Sequence, residues 1–167
     1  VLASHVLTYL ERAFKDDFNQ LRTTDPLGAE IVAVARVFLY LENVPWIVPA
    51  VQAEYQKIPC ASLLRRHDSF AAIGLLEAES SVAEAAEPRA IQLNAFHPHL
   101  ADARVVAQAE QINADVVLTC VKDLLKSLRS NSSLAVLRPS DYWEALNVRR
   151  GQRPAREPRD LGDWWRW

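Results

Sequence analysis

The stretch from Pro98 to Asp123, PHLADARVVAQAEQINADVVLTCVKD, constrains the fold most, because it reads as a helix feeding directly into a buried strand. From Asp102 to Gln111 the residues Ala103, Val106, Ala107 and Ala109 recur at helical spacing, with Arg104, Gln108 and Glu110 between them. Asp102 lies in the first turn, where a carboxylate meets exposed amide donors. Asn113 tolerates the left-handed conformation that ends many helices. The run Ala114 to Thr119 is short, β-branched and almost wholly apolar, as a strand buried on both faces of a parallel sheet should be. Thr119, Cys120 and Val121 then fall at the carboxyl end of a strand, the edge of an open α/β sheet where sites are built.

The rest of the chain fits one domain of this class. Its 167 residues suffice for a full core, and no apolar run approaches the roughly 20 residues that span a bilayer. Two cysteines, Cys60 and Cys120, make no disulfide framework, and no secretory signal is evident, so a reducing cytoplasm is the expected location. A net charge of −2 gives no global attraction for nucleic acid, so any such surface must be a local patch.

Read in order, a first helix runs from Ser4 to about Asn19, a turn covers Arg22 to Leu27, and an almost wholly apolar helix spans Gly28 to Leu41. Pro45 to Pro49 is a brief strand, after which Pro49 starts a helix through Ile58. Cys60 to Glu79 is amphipathic, and Arg65, Arg66 and His67 form a basic cluster that is either a phosphate contact or a solvated face. Glu77 to Glu87 is acidic and alanine-rich, Pro88 ends any helix there, and residues 88 to 99 connect into the 98 to 123 unit. His97 and His99 flank Pro98, but nothing at a suitable spacing completes a zinc site with them. After Asp123 come a helix from Leu124 to Leu128, a polar turn, a strand from Leu134 to Leu137 and a helix opened by Pro139, Ser140 and Asp141. The tail from Val148 to Trp167 is rich in arginine, proline and tryptophan. Its tryptophans fold back on the domain or a second copy, dock a partner, or contact RNA; self-docking is favoured, because exposed tryptophans are costly in water.

An acid-opened helix, a strand ending in Thr-x-x and then Lys122, Asp123, Leu124 and Leu125 resemble the C-terminal half of a PIN domain, a family of metal-dependent nucleases that includes many bacterial toxin ribonucleases. VPAVQAEYQKIP resembles the family segment whose short helix supplies an acidic ligand, here Glu54. The opening VLASHVLTYL resembles the family's first strand and helix, with Ala3 and His5 at its Asp and Asn positions. Val121 stands where the Asp of Thr-x-Asp belongs. The resemblance implies a three-layer α/β/α fold over residues 1 to 147, with a central, mainly parallel sheet of short strands. It implies Mg²⁺ or Mn²⁺ held by Glu54, Asp102 and Asp123 as the catalytic and metal-binding acids. RNA, an antitoxin-like protein partner and a second copy of the chain are the partners it implies, with no membrane association.

Hard divalent ions need clustered oxygen ligands, and alanine and valine supply none. The leading expectation is therefore a PIN-like domain with an incomplete acidic site, weak or inactive as a nuclease and serving as an RNA-binding or interaction module. The alternative is a working Mg²⁺- or Mn²⁺-dependent endoribonuclease of toxin type using Glu54, Asp102 and Asp123, or the silenced form of one. An unrelated α/β domain would instead place Glu54 and Asp102 on different faces.

Overall fold

The structure is a computed structural model that describes residues 1–14, 25–157 and 166–167. Among these residues, eight helices surround four short strands paired in two small parallel sheets. Helix α1 (Ser4–Ala13) follows directly on Leu2, whose backbone bridges to Leu118. It ends short of the expected Asn19, and residues 15–24 lie outside the described part. Helix α2 (Pro26–Tyr40) begins where proline at N1 costs no hydrogen bond and Asp25 accepts from the Leu27 amide at 3.4 Å. Its continuous apolar sequence is explained by burial: Ile31, Val34, Val37 and Leu39 are almost inaccessible, and the helix packs against α1 on one side.

Strand β1 (Trp46–Ile47) leads through Val48 into α3 (Pro49–Tyr55), again with proline opening the helix. The amphipathic run from Cys60 divides into α4 (Ala61–Gly74) and a strand, β2 (Leu76–Glu77). Beyond Gly74 the chain is drawn into extended form by β1: Leu76 N donates to Pro45 O and Ala78 N to Ile47 O.

Pro88 does not end a helix. It sits inside α5 (Ser81–Asn94), and the expected connection from 88 to 99 is helical as far as Asn94. Both Pro88 and Glu84, whose carbonyl loses its partner, are exposed, so that carbonyl is on the solvent side of the helix. Ala86, Ala90 and Leu93 are meanwhile buried on the side toward α6 (Leu100–Gln111), and Arg89–Glu110 (2.7 Å) and Arg104–Glu87 (2.6 Å) clamp the two helices together. Packing outweighs the local penalty.

Asn113 has φ 54° and turns the chain into β3 (Val116–Leu118), followed by α7 (Lys122–Leu128), β4 (Ala135–Leu137) and α8 (Pro139–Ala145). Strands β3 and β4 pair in parallel, and α8 packs on α2. Residues 1 to 3 link the two pairs: Leu2 N donates to Trp46 O at 3.0 Å, while Ala3 N donates to Leu118 O and Leu118 N to Val1 O. No helix of the described residues is long and apolar enough to cross a membrane.

Candidate functional site

All strands run parallel, so their carboxyl ends and the helices that follow share one rim. Ala3 is there as the residue before α1, buried, with its amide bonded to Leu118 O at 3.1 Å. Next to it the Ser4 hydroxyl donates to the Glu54 carboxylate, which joins the start of α1 to α3 across 50 residues of sequence. Glu54 is thus tied within the protein and is not a solvated helix residue. His5 accepts a hydrogen bond at Nε2 from the Cys120 amide (2.7 Å), so its proton resides on Nδ1. Burial lowers the His5 pKa, and the nearby negative charge of Asp102 opposes that shift.

Asp102 sits in the first turn of α6, and its carboxylate meets the fully buried His97 at Nε2, 2.9 Å away. The other ring nitrogen of His97 lies 2.8 Å from Ser127 Oγ, and that hydroxyl donates to Asp123 O at 2.6 Å. His97 thus bridges Ser127 and Asp102 through its two ring nitrogens. Ser127, His97 and Asp102 form a chain, yet with the imidazole sealed from solvent it is a structural strut and not a nucleophile–base pair.

Asp123 is exposed near the start of α7 and contributes to this network only through its carbonyl. Val121 packs against the core, while its amide donates to the hydroxyl of the buried Thr119. The rim continues to Glu30 of α2, whose carboxylate accepts from Ser140 N (3.0 Å) and Ser140 Oγ (2.8 Å) at the start of α8, with Arg138 at 3.9 Å. Burial, followed by the charge of Glu30, pushes the Cys120 thiol up to about 12, so it is no thiolate nucleophile at neutral pH.

These positions do not suit a divalent cation. Among the described residues no three His, Cys, Asp or Glu side chains are placed to hold a metal ion, so the expected set of Glu54, Asp102 and Asp123 is not assembled as a ligand cluster. Glu54 is engaged by Ser4 and Asp102 by His97, while Ala3 and Val121 offer no oxygen. No step through a metal is derived for this chain.

The basic cluster of α4 is also resolved differently from a phosphate site. His67 is fully buried against α1, 3.0 Å from Glu11 and 3.1 Å from Thr8, and Arg66 approaches the same Glu11 at 3.4 Å, which leaves Arg65 outside the contact. Sequence reading named His5 and His97 without finding their roles. The partners Cys120, Ser127 and Asp102 are brought by other elements, and only Pro98, turning the chain between His97 and Asp102, hinted at that contact.

A cavity of about 340 Å³ lies at the opposite, amino-terminal ends of the strands, lined by Leu2, Trp46, Leu76, Ile112 and Tyr142, and takes no part in the rim. The tail behaves as expected at its one described tryptophan: Trp167 docks on the domain, its indole donating to Val148 O and its amide to the Tyr40 hydroxyl. Trp164 and Trp165 lie outside the described residues. Searched against protein-family models, curated proteins and solved structures, the chain returns no match.

Proposed function

We propose that this chain is a PIN-like domain in which a closed hydrogen-bond network has taken the place of a metal-dependent nuclease centre, and that it serves as an RNA-binding module without cleaving its ligand. The strand order β2, β1, residues 1–3, β3, β4, all parallel, supports a single central layer between helices. The observation that carries the reading is the rim itself. Ser4 reaches Glu54, and the adjacent His5 reaches Cys120 and feels Asp102, so positions 3, 54, 102 and 120 share one neighbourhood. An unrelated α/β domain would scatter them. Both acids nearest the family's positions are consumed by side chains of the protein and are not held ready for a cation.

The test is RNA cleavage with Mg²⁺ and Mn²⁺ supplied. The chain as given is expected to leave RNA intact. Restoring the oxygens by Ala3→Asp with Val121→Asp is expected to create Mn²⁺ affinity, read by calorimetry, and with it cleavage. Cleavage by the unaltered chain that is lost in Glu54→Gln would establish the endoribonuclease alternative instead.

A further inference from the structure

Charge is divided unevenly along this chain. Residues 148–167 carry six arginines, no lysine and three acids, while residues 1–147 carry thirteen Lys and Arg against eighteen Asp and Glu. The structure fixes the described part of that basic segment onto α2 and α8. Arg156 donates to the carbonyls of Phe38, Leu41 and Glu42 at the end of α2. Arg36 and Arg150 each lie over the Trp167 ring at 4.7 Å, Trp143 meets it edge-on at 5.6 Å, and Gly151 N donates to Trp167 O at 2.8 Å. Arg149, Arg150 and Arg153 stand exposed on this platform. Among the described residues Arg149 and Arg150 have no carboxylate within ion-pair distance, and Arg153 meets only Glu157, in a pair open to solvent. Burial lowers the pKa of Arg36, partly offset by Tyr40, with a smaller lowering from the positive charge of Arg150.

We propose that this Arg–Trp face is where single-stranded RNA docks, its phosphates meeting Arg149, Arg150 and Arg153 and a base stacking on the solvent side of the Arg150 guanidinium. The inference rests on the RNA-binding reading above and adds the surface. It moves contact away from the strand rim, where Glu30, Glu54, Asp102 and Asp123 would repel a phosphate chain. Two features favour a nucleic acid over an acidic peptide or an anionic lipid surface. All the tail's cations are arginine, whose flat guanidinium both bridges phosphate oxygens and stacks on bases. One of them, Arg150, already lies over an indole at 4.7 Å, which lowers the cost of ordering it for a stack. Lipid surfaces, by contrast, attract lysine and arginine alike.

The test measures binding of the full chain to a short fluorescent single-stranded RNA by anisotropy across a salt series. Three phosphate contacts predict a slope of log K against log salt of about −2, from about −0.7 per contact on a single strand. Replacing all three arginines, Arg149→Ala with Arg150→Ala and Arg153→Ala, is expected to weaken binding at least about tenfold and flatten that slope. Arg150→Lys keeps the charge and loses the plane, so affinity should fall several-fold at an unchanged slope. Arg129→Ala, an exposed arginine on another element, should bind as the parent does, and circular dichroism melts should coincide for all variants. If the parent binds RNA and the triple variant binds equally, the surface is elsewhere and only this inference falls. A parent that binds no single-stranded RNA even at low salt sinks the RNA-binding reading together with it. Equal or tighter arginine-dependent capture of duplex RNA, poly-glutamate or phosphatidylserine vesicles overturns the choice of partner.

Discussion

Ser4 and Glu54 show why the rim could be anticipated only in outline: each is ordinary in its own segment, and their bond exists only because the fold brings the start of α1 against the last turn of α3. The acids at 54 and 102 were legible from local pattern and resemblance. Their partners were not, since a buried histidine reads the same in sequence whether it supports a carboxylate or fills a gap. The two cysteines carry a direct residue-scale test. Cys60 is exposed and its pKa is lowered by the Ser62 hydroxyl, whereas Cys120 is raised by burial. Iodoacetamide at neutral pH should therefore alkylate Cys60 readily and leave Cys120 nearly untouched until the protein unfolds, as read by peptide mass spectrometry. Equal rates would mean the rim is open. His5 supplies the pH dependence. Its folded pKa lies below its ordinary 6.5, so the unfolded chain takes up the proton first; its contribution is complete above 6.5 and is lost as pH falls through that value. His5→Asn keeps an acceptor for the Cys120 amide without titrating, so its melting midpoint should fall less on acidification than the parent's.

At the scale of elements, proline gave the least reliable guide. Pro26, Pro49 and Pro139 open helices as their sequence context predicts, because an absent donor costs nothing in the first turn. Pro88 looks the same in sequence but rides the outer face of α5 while Ala86, Ala90 and Leu93 hold the inner face on α6, a tertiary gain that no local window contains. Restoring the amide should expose the concession: Pro88→Ala is expected to raise unfolding stability by about 2 kcal/mol in a urea titration. No gain would mean that the helix bends there to suit its partner. Strand β2 escaped sequence reading for a different reason. Both its residues are exposed, so it has no alternating pattern, and it is a strand only through backbone pairing with β1.

Across the whole molecule, the basic segment and the acidic domain are joined where Arg156 closes the carboxyl end of α2. Backbone carbonyls there would otherwise face water, and one guanidinium satisfies three of them while covering Phe38 at 5.2 Å. Arg156→Ala should cost about 1–3 kcal/mol and make the peptide bonds after Val148 sensitive to protease before the domain itself unfolds. Arg156→Lys should recover only part of the loss. If the tail resists cleavage in Arg156→Ala as well as it does in the parent, Trp167 alone suffices to anchor it.

The linking role of the first three residues has an outcome for synthesis on the ribosome. Val1 to Ala3 leave the exit tunnel before every strand of the two sheets, yet the partner of Val1, Val116, lies 115 positions later, so these residues must wait for nearly the last strand. Until then residues 1–3 keep a bare edge on the side where β3 will pair, and the nascent chain presents an open template for other chains. Anything that delays translation between β2 and β3 should therefore lower soluble yield more than an equal pause after β4.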